Sequence, residues 1–206
     1  ISGVPAGAVL SAGTDNGDGT WTLTPAQLGG LTITPPPGSD ADFDLTVSVT
    51  STEANGGDAA TTTASLAVSV TGDADAPAVH TTAASGNEDT AIVLNVSAAL
   101  TDTDGSETLS NITISGVPTG AVLSAGTDNG DGSWTLTPVQ LSGLTITPPT
   151  NSDADFTLTV SATSTETSSG DTATTTASSN VAVNAVADAP ALSVGNSVVF
   201  NDDFDA

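Results

Sequence analysis

The 206-residue chain contains no lysine, no arginine and no cysteine, against 24 aspartates and glutamates, for a formal net charge of -24. Without a cationic side chain no internal salt bridge can form, so the carboxylates must be hydrated, screened or bound to something positive. Nucleic acid and anionic membrane surfaces are poor partners, because like charge repels and there is no basic patch to hold phosphate. Without cysteine no disulfide can staple the fold, which leaves metal as the staple of a secreted chain. No apolar run approaches a membrane span, so no membrane insertion is expected, and no signal peptide is visible at Ile1. Aromatic residues make up 3 % and there is a single histidine, His80. A Ser-His-Asp set would depend on that one residue, and the paired carboxylates have no aromatic pocket around them, so the chain is not expected to be an enzyme.

Apolar residues nevertheless reach 37 %. They occur as alternating Val, Leu and Ile, which argues against the disorder that such acidity would otherwise suggest. The chain repeats itself. Ile1-Ser-Gly-Val-Pro5 returns as Ile114-Ser-Gly-Val-Pro118, Asp15-Asn-Gly-Asp-Gly19 as Asp128-Asn-Gly-Asp-Gly132, and Ala74-Asp-Ala-Pro77 as Ala187-Asp-Ala-Pro190, always 113 positions later. Of positions 1–77, 59 are identical to their partners, so the two stretches are copies of one unit. With Asp-Ala-Pro as the junction, 78–190 is one complete repeat, 1–77 is a repeat lacking its N-terminal strand and acidic loops, and 191–206 begins a third. The chain therefore reads as cut from a longer array, or as a subunit whose ends neighbours complete.

Within 78–190 the period is two. Ala91–Val96, Asn111–Val117, Trp134–Thr137, Leu144–Thr147, Phe156–Ala162 and Val181–Val183 each read as a strand, with Asp-Gly, Asn-Gly and Pro-Pro turns between them. The expected class is all-β: tandem Greek-key, immunoglobulin-like β-sandwiches of about seven strands and about 113 residues each.

Two acidic segments flank the opening strand. Glu88 and Asp89 precede it; Asp102-Thr-Asp104-Gly-Ser-Glu107 follows it, with three carboxylates around a glycine turn. Hard oxygen ligands in a tight loop suit Ca²⁺, although neither the spacing nor flanking helices make this an EF-hand. A strand excursion puts its flanks at opposite poles, so the two segments meet only if the chain between them doubles back. Asp73, Asp75 and Asp188 sit at the junctions, where a carboxylate can share an ion with the next unit; Val186 stands where the second junction would match Asp73. Other features read more plainly. The Asp15–Gly19 and Asp128–Gly132 segments are hairpin signals, Ser152–Asp155 is a solvated loop, and Trp21 and Trp134 are core residues. The threonines of 172–178 form an ordinary solvated strand face, and His80 is exposed.

Gly86-Asn-Glu-Asp-Thr-Ala-Ile92, Thr101-Asp-Thr-Asp-Gly-Ser-Glu-Thr-Leu109, Ile114–Pro118, Gly130–Leu136 and Ala187–Pro190 together resemble the cadherin-like or immunoglobulin-like repeats of giant bacterial RTX adhesins exported by type I secretion. The resemblance covers nearly the whole chain. It implies an extracellular, cell-surface extender whose partners are neighbouring repeats or identical subunits, with calcium at its poles on Asp75, Glu88, Asp89, Asp102, Asp104, Glu107 and Asp188. A self-assembling filament subunit, or a module that binds glycan or ice, are the alternatives. Asn201-Asp-Asp203 falls one position off the Asn87–Asp89 register, which marks the third repeat as a different subtype.

Overall fold

A computed structural model describes residues 1–192 and 195. Of the expected third repeat only residues 191, 192 and 195 are described, and Asn201-Asp-Asp203 lies outside the described residues. The described chain is β-structured, apart from two short 3-10 turns at Pro25–Leu28 and Pro138–Leu141. Among the described residues no helix is long and apolar enough to cross a membrane.

The first repeat forms β1 (Val9–Leu10), β2 (Thr14–Asp15), β3 (Trp21–Thr22), β4 (Ile33–Thr34), β5 (Phe43–Thr52) and β6 (Ala59–Val68). The second forms β7 (Ala78–Thr81), β8 (Ala84–Asn87), β9 (Ile92–Val93), β10 (Val96–Ala99), β11 (Glu107–Leu109) and β12 (Ile112–Ser115). It continues with β13 (Val122–Leu123), β14 (Thr127–Asp128), β15 (Ser133–Leu136), β16 (Thr145–Thr147), β17 (Phe156–Glu166) and β18 (Thr172–Asn184). The span expected to hold about seven strands thus holds more, from the two residues of β9 to the 13 of β18. The expected single strand over Ala91–Val96 is two: β9 pairs with β16, while β10 pairs with β7 in another sheet. The change of partner falls between Leu94, whose amide still donates to the Leu144 carbonyl at 2.9 Å, and Asn95, whose carbonyl accepts the Thr82 amide at 3.3 Å.

One seven-stranded sheet runs β14-β15-β12-β17-β18-β8, with β11 also on β17. Most pairings are antiparallel, but β8 lies parallel to β18, Ala84 opposite Val181 and Asn87 opposite Asn184. A three-stranded sheet, β13-β16-β9, and the β10-β7 pair complete the second repeat. Period two sorts the side chains. Along β17, Leu158, Val160 and Ala162 are buried, while the intervening Thr159, Ser161 and Thr163 lie on the outer face. The inward set joins Ile92, Leu94, Ile112, Ile114, Leu136, Leu144, Ile146 and Val181 in one core. Full burial of each such side chain is worth roughly 1.5–3 kcal/mol.

The first repeat has no such core. Its buried apolar residues are Val4, Ala8, Leu10 and Leu45, because residues 1–77 contain no counterpart of β7 through β11. Ser2, the counterpart of Ser115 in β12, bridges Thr20 and Thr46, and the Ile1 amine donates to the Trp21 carbonyl at 2.9 Å. Between β3 and β5 lies a cleft of about 490 Å³ lined by Trp21, Leu23, Leu28, Val47 and Val49. Leu28 is 44 % exposed where its partner Leu141 is 5 %, and Val49 is 57 % exposed where Ala162 is 1 %.

Candidate functional site: two acidic poles

The sequence parity that builds the core also buries acid. On β17 the inward positions continue past Ala162 through Ser164 to Glu166, which is 1 % exposed. On β11 the inward position is Glu107, 6 % exposed, directly opposite Glu166. Glu107 Oε1 accepts from the Asp75 amide, and Ser164 donates its hydroxyl to the Asp75 carbonyl. Through these bonds the linker after the first repeat is tied to the end of the second. Glu107 Oε2 is buried and has no hydrogen-bond partner. Glu166 accepts at 2.9 Å from both the amide and the hydroxyl of Ser168. Its carboxyl is held below the ordinary glutamate value, chiefly by the Ser168 amide, against burial and the charge of Asp104.

The rest of the junction is acidic too. Asp102 Oδ1 accepts the Asp104 amide at 2.9 Å, and Asp104 Oδ1 accepts the Ser106 amide at 2.8 Å, so this loop is a staircase of side-chain-capped turns. Hydrogen bonds from Ser106 hold the Asp104 carboxyl low, with a smaller contribution from the Asp40 backbone of the first repeat. Gly38, at φ +66°, lies against Asp102, where an added Cβ would come 3.0 Å from Oδ2. Together these segments enclose a cleft of about 240 Å³ that Asp40, Asp73, Asp75, Asp102 and Glu166 line. A Cβ on Gly72 would stand 2.7 Å from the Glu166 Cδ. Gly72→Ala is therefore expected to push Glu166 and loosen the junction while leaving the second repeat's core intact. Hydrogen exchange should read this as faster exchange at 72–76 and 164–168 and unchanged protection at Ile114 and Val160.

Asp73 and Asp171 stand side by side, and a hydrogen bond between the two carboxyls, followed by the charge of Asp171, raises the Asp73 carboxyl while the same interaction lowers Asp171. Only below the raised Asp73 value does the pair hold a proton to share. A raised folded value means that this contribution to stability is present at pH below the unfolded value of 3.8 and is lost as pH rises through the folded value. In metal-free buffer at neutral pH the two carboxylates repel. Asp73→Asn should accordingly melt higher than the parent at pH 7 in chelator, with the advantage vanishing toward pH 3. An advantage that persists unchanged at low pH would show that no proton is shared.

Glu88 and Asp89 do not join this group. They lie at the other end of β17 and β18, roughly 30 Å away at about 3.3 Å per strand residue. Glu88, 7 % exposed, accepts the Val186 amide at 2.7 Å. Asp89, at φ +58°, accepts the Asn151 amide at 2.9 Å. With its side-chain amide oriented to donate, Asn151 also reaches Asp188 Oδ2 at 2.9 Å. The seven acids singled out from the sequence thus divide into Asp75, Asp102, Asp104 and Glu107 at one pole, and Glu88, Asp89 and Asp188 at the other. Sequence reasoning passed over Glu166 and Asn151. The signal for Glu166 was present, since a glutamate stands on the buried parity of an apolar strand.

Asp128 and Asp131 brace the β14–β15 hairpin: Asp128 Oδ1 accepts the Gly130 amide at 2.8 Å, and Asp131 Oδ1 accepts from the Ser133 amide and hydroxyl at 3.0 and 2.6 Å. Asp155 lies in an exposed loop, as expected, and from there accepts the Val183 amide at 2.8 Å. Trp134 packs in the core, His80 is exposed on β7, and Thr172, Thr174, Thr176 and Ser178 line the outer face of β18.

Among the described residues no three acid or imidazole side chains converge closely enough to enclose an ion as they stand. At the junction the carboxylates of Glu107 and Glu166 stand opposite each other beside the Asp75 backbone, and Glu107 Oε2 is buried with no partner; oxygen donors of this kind are hard ligands. No protein-family model matches the chain, and no curated protein matches it.

Proposed function

We propose that the chain is a structural, extracellular extender module of a bacterial surface adhesin or fibre, built of immunoglobulin-like Greek-key repeats and stiffened by Ca²⁺ at its poles and junctions. The supporting observation is Glu107: an orphan carboxylate oxygen, buried opposite a second buried glutamate, at the place where two repeats meet in a chain with no cation of its own. Leaving such a group unpartnered costs about 1–3 kcal/mol, and with no lysine or arginine in the chain its counter-charge comes from outside, where a divalent cation suits oxygen ligands. At the junction Glu107, Glu166 and Asp75 would hold the ion, with Asp102 and Asp104 beside them; at the far pole Glu88, Asp89 and Asp188 would do so. Calcium would supply charge neutralisation and crosslinking, and the proteinaceous partner is the next repeat. No enzymatic activity is proposed, a reading supported by the exposed, solitary His80. The outward threonine rows belong to this structural reading as a solvated face, and glycan or ice binding is not our choice.

A junction that binds calcium should be straighter than one that does not. Small-angle scattering of the full chain should show a larger maximum dimension in calcium than in chelator, and Asp75→Ala should abolish the difference without unfolding the second repeat. An identical profile with and without calcium would overturn the reading.

A further inference from the structure

The sequence contains three Asn-Gly steps, at Asn16, Asn55 and Asn129. Glycine leaves its own amide nitrogen unshielded and its backbone free to bend, so each step could in principle close a five-membered imide. In that reaction the glycine nitrogen attacks the asparagine Cγ, the Cγ–Nδ2 bond breaks and ammonia leaves. Water then opens either carbonyl of the ring, giving aspartate or isoaspartate.

Two of the three are locked, and by the same bonds. The Gly17 and Gly130 amides, which would be the nucleophiles, donate at 2.8 Å to Asp15 Oδ1 and Asp128 Oδ1. Asn16 Nδ2 donates to the hydroxyls of Thr20 and Thr22 at 2.9 and 3.2 Å. Asn129 Nδ2 does the same with Ser133 and Thr135 at 2.9 and 3.1 Å. Both asparagines sit inside paired hairpins. Asn55 is exposed in the loop between β5 and β6, followed by Gly56 and Gly57 at φ +125° and +76°. Among the described residues neither its side chain nor the Gly56 amide makes a hydrogen bond, and the bond closing the loop is Glu53 amide to Asp58 carbonyl, 2.8 Å. The counterpart loop in the second repeat carries Ser168 and Ser169 at these positions, and the Gly170 amide there donates to the Glu166 carbonyl at 2.8 Å.

We infer that Asn55 is a site of spontaneous deamidation, while Asn16 and Asn129 are protected by the fold. The product places a new carboxylate between Glu53 and Asp58, the counterparts of Glu166 and Asp171, in the loop that in the second repeat meets its neighbour. The chain thus carries an ageing mark at one pole.

The composition makes the test simple. A glutamate-specific protease cuts after Glu53, Glu88, Glu107 and Glu166, so the three steps fall in three separate peptides, 1–53, 54–88 and 108–166. The native full chain is incubated at mildly alkaline pH and digested at intervals, and the amide-to-acid mass change of each peptide is followed. Peptide 54–88 should convert about tenfold faster or more than the others, the factor expected where at least one hydrogen bond to a charged group must open first. In denaturant the three rates should draw together. Asn55→Ser should abolish conversion of 54–88, and Asp15→Ala, which frees the Gly17 amide, should speed that of 1–53. Equal native rates would overturn the inference. So would a lead of 54–88 that persists undiminished in denaturant, because local sequence and not the fold would then be its cause.

Discussion

Glu107→Gln is expected to raise the melting temperature of the calcium-free chain and to lower that of the calcium-loaded one. The two halves have different causes. Without metal, the buried Oε2 of Glu107 has no donor, on a residue that pairs with buried Glu166 across β11–β17. An amide of the same shape removes that charge and brings two donors, recovering about 1–2 kcal/mol. For a chain of this size that is a rise of roughly 2–8 °C. With metal, a ligand that binds only the folded state adds RT ln(1 + [L]/Kd), about 4 kcal/mol at a thousandfold excess, or roughly 10 °C. The glutamine loses most of that gain. Scanning calorimetry of parent and variant, each with calcium and with chelator, gives all four numbers. A parent whose midpoint is the same in calcium and chelator at low ionic strength would sink the calcium reading. A variant that gains as much from calcium as the parent would remove Glu107 from it.

Residues 78–190 should fold alone in calcium, and residues 1–77 should not fold alone. The second repeat holds an uninterrupted core from Ala84 to Val183. The first buries only Val4, Ala8, Leu10 and Leu45, with Leu28 and Val49 left largely in water. Its β5–β6 hairpin is ten paired residues long, yet most of both strands is exposed. A two-stranded ribbon without a covered face is at best marginally stable. A cooperative unfolding transition is therefore expected for 78–190, and a collapsed or aggregated spectrum for 1–77. A well-dispersed, monomeric spectrum from 1–77 would mean that the unit boundary lies elsewhere than at Asp-Ala-Pro.

What could be read from the sequence was whatever repeats with period two and ends in a turn. β12, β15, β16 and β17 lie within a residue or so of the alternating runs at one end or both, because Ile, Leu, Trp and Val on one parity leave no other solution for a half-buried strand. β7 and β8 were not legible. Ala78-Val-His-Thr and Ala84-Ser-Gly-Asn carry no apolar alternation, and they become strands through their partners: β10 for one, the tail of β18 for the other. The same holds for the site. Acids in short turn motifs, such as Asp102 and Glu107, stand out by spacing. Glu166 lies alone at the end of a long strand, and Asn151 is a loop residue with no charge, so their roles emerge only when the sheets bring Glu107 and Asp89 to them. The division of the acids between two poles follows from strand direction, which periodicity does not reveal.

The parallel pairing of β8 with β18 has a mechanical consequence. It joins the beginning of the second repeat to its end through Ala84–Asn87 and Val181–Asn184. Tension applied to the chain on either side of the unit pulls β8 toward its N-terminus and β18 toward its C-terminus. Because the strands are parallel, these pulls are antiparallel along their common axis. The ladder is then loaded in shear, and its evenly spaced hydrogen bonds must rupture together instead of peeling one at a time. A unit built this way resists extension far better than its equilibrium stability alone would suggest.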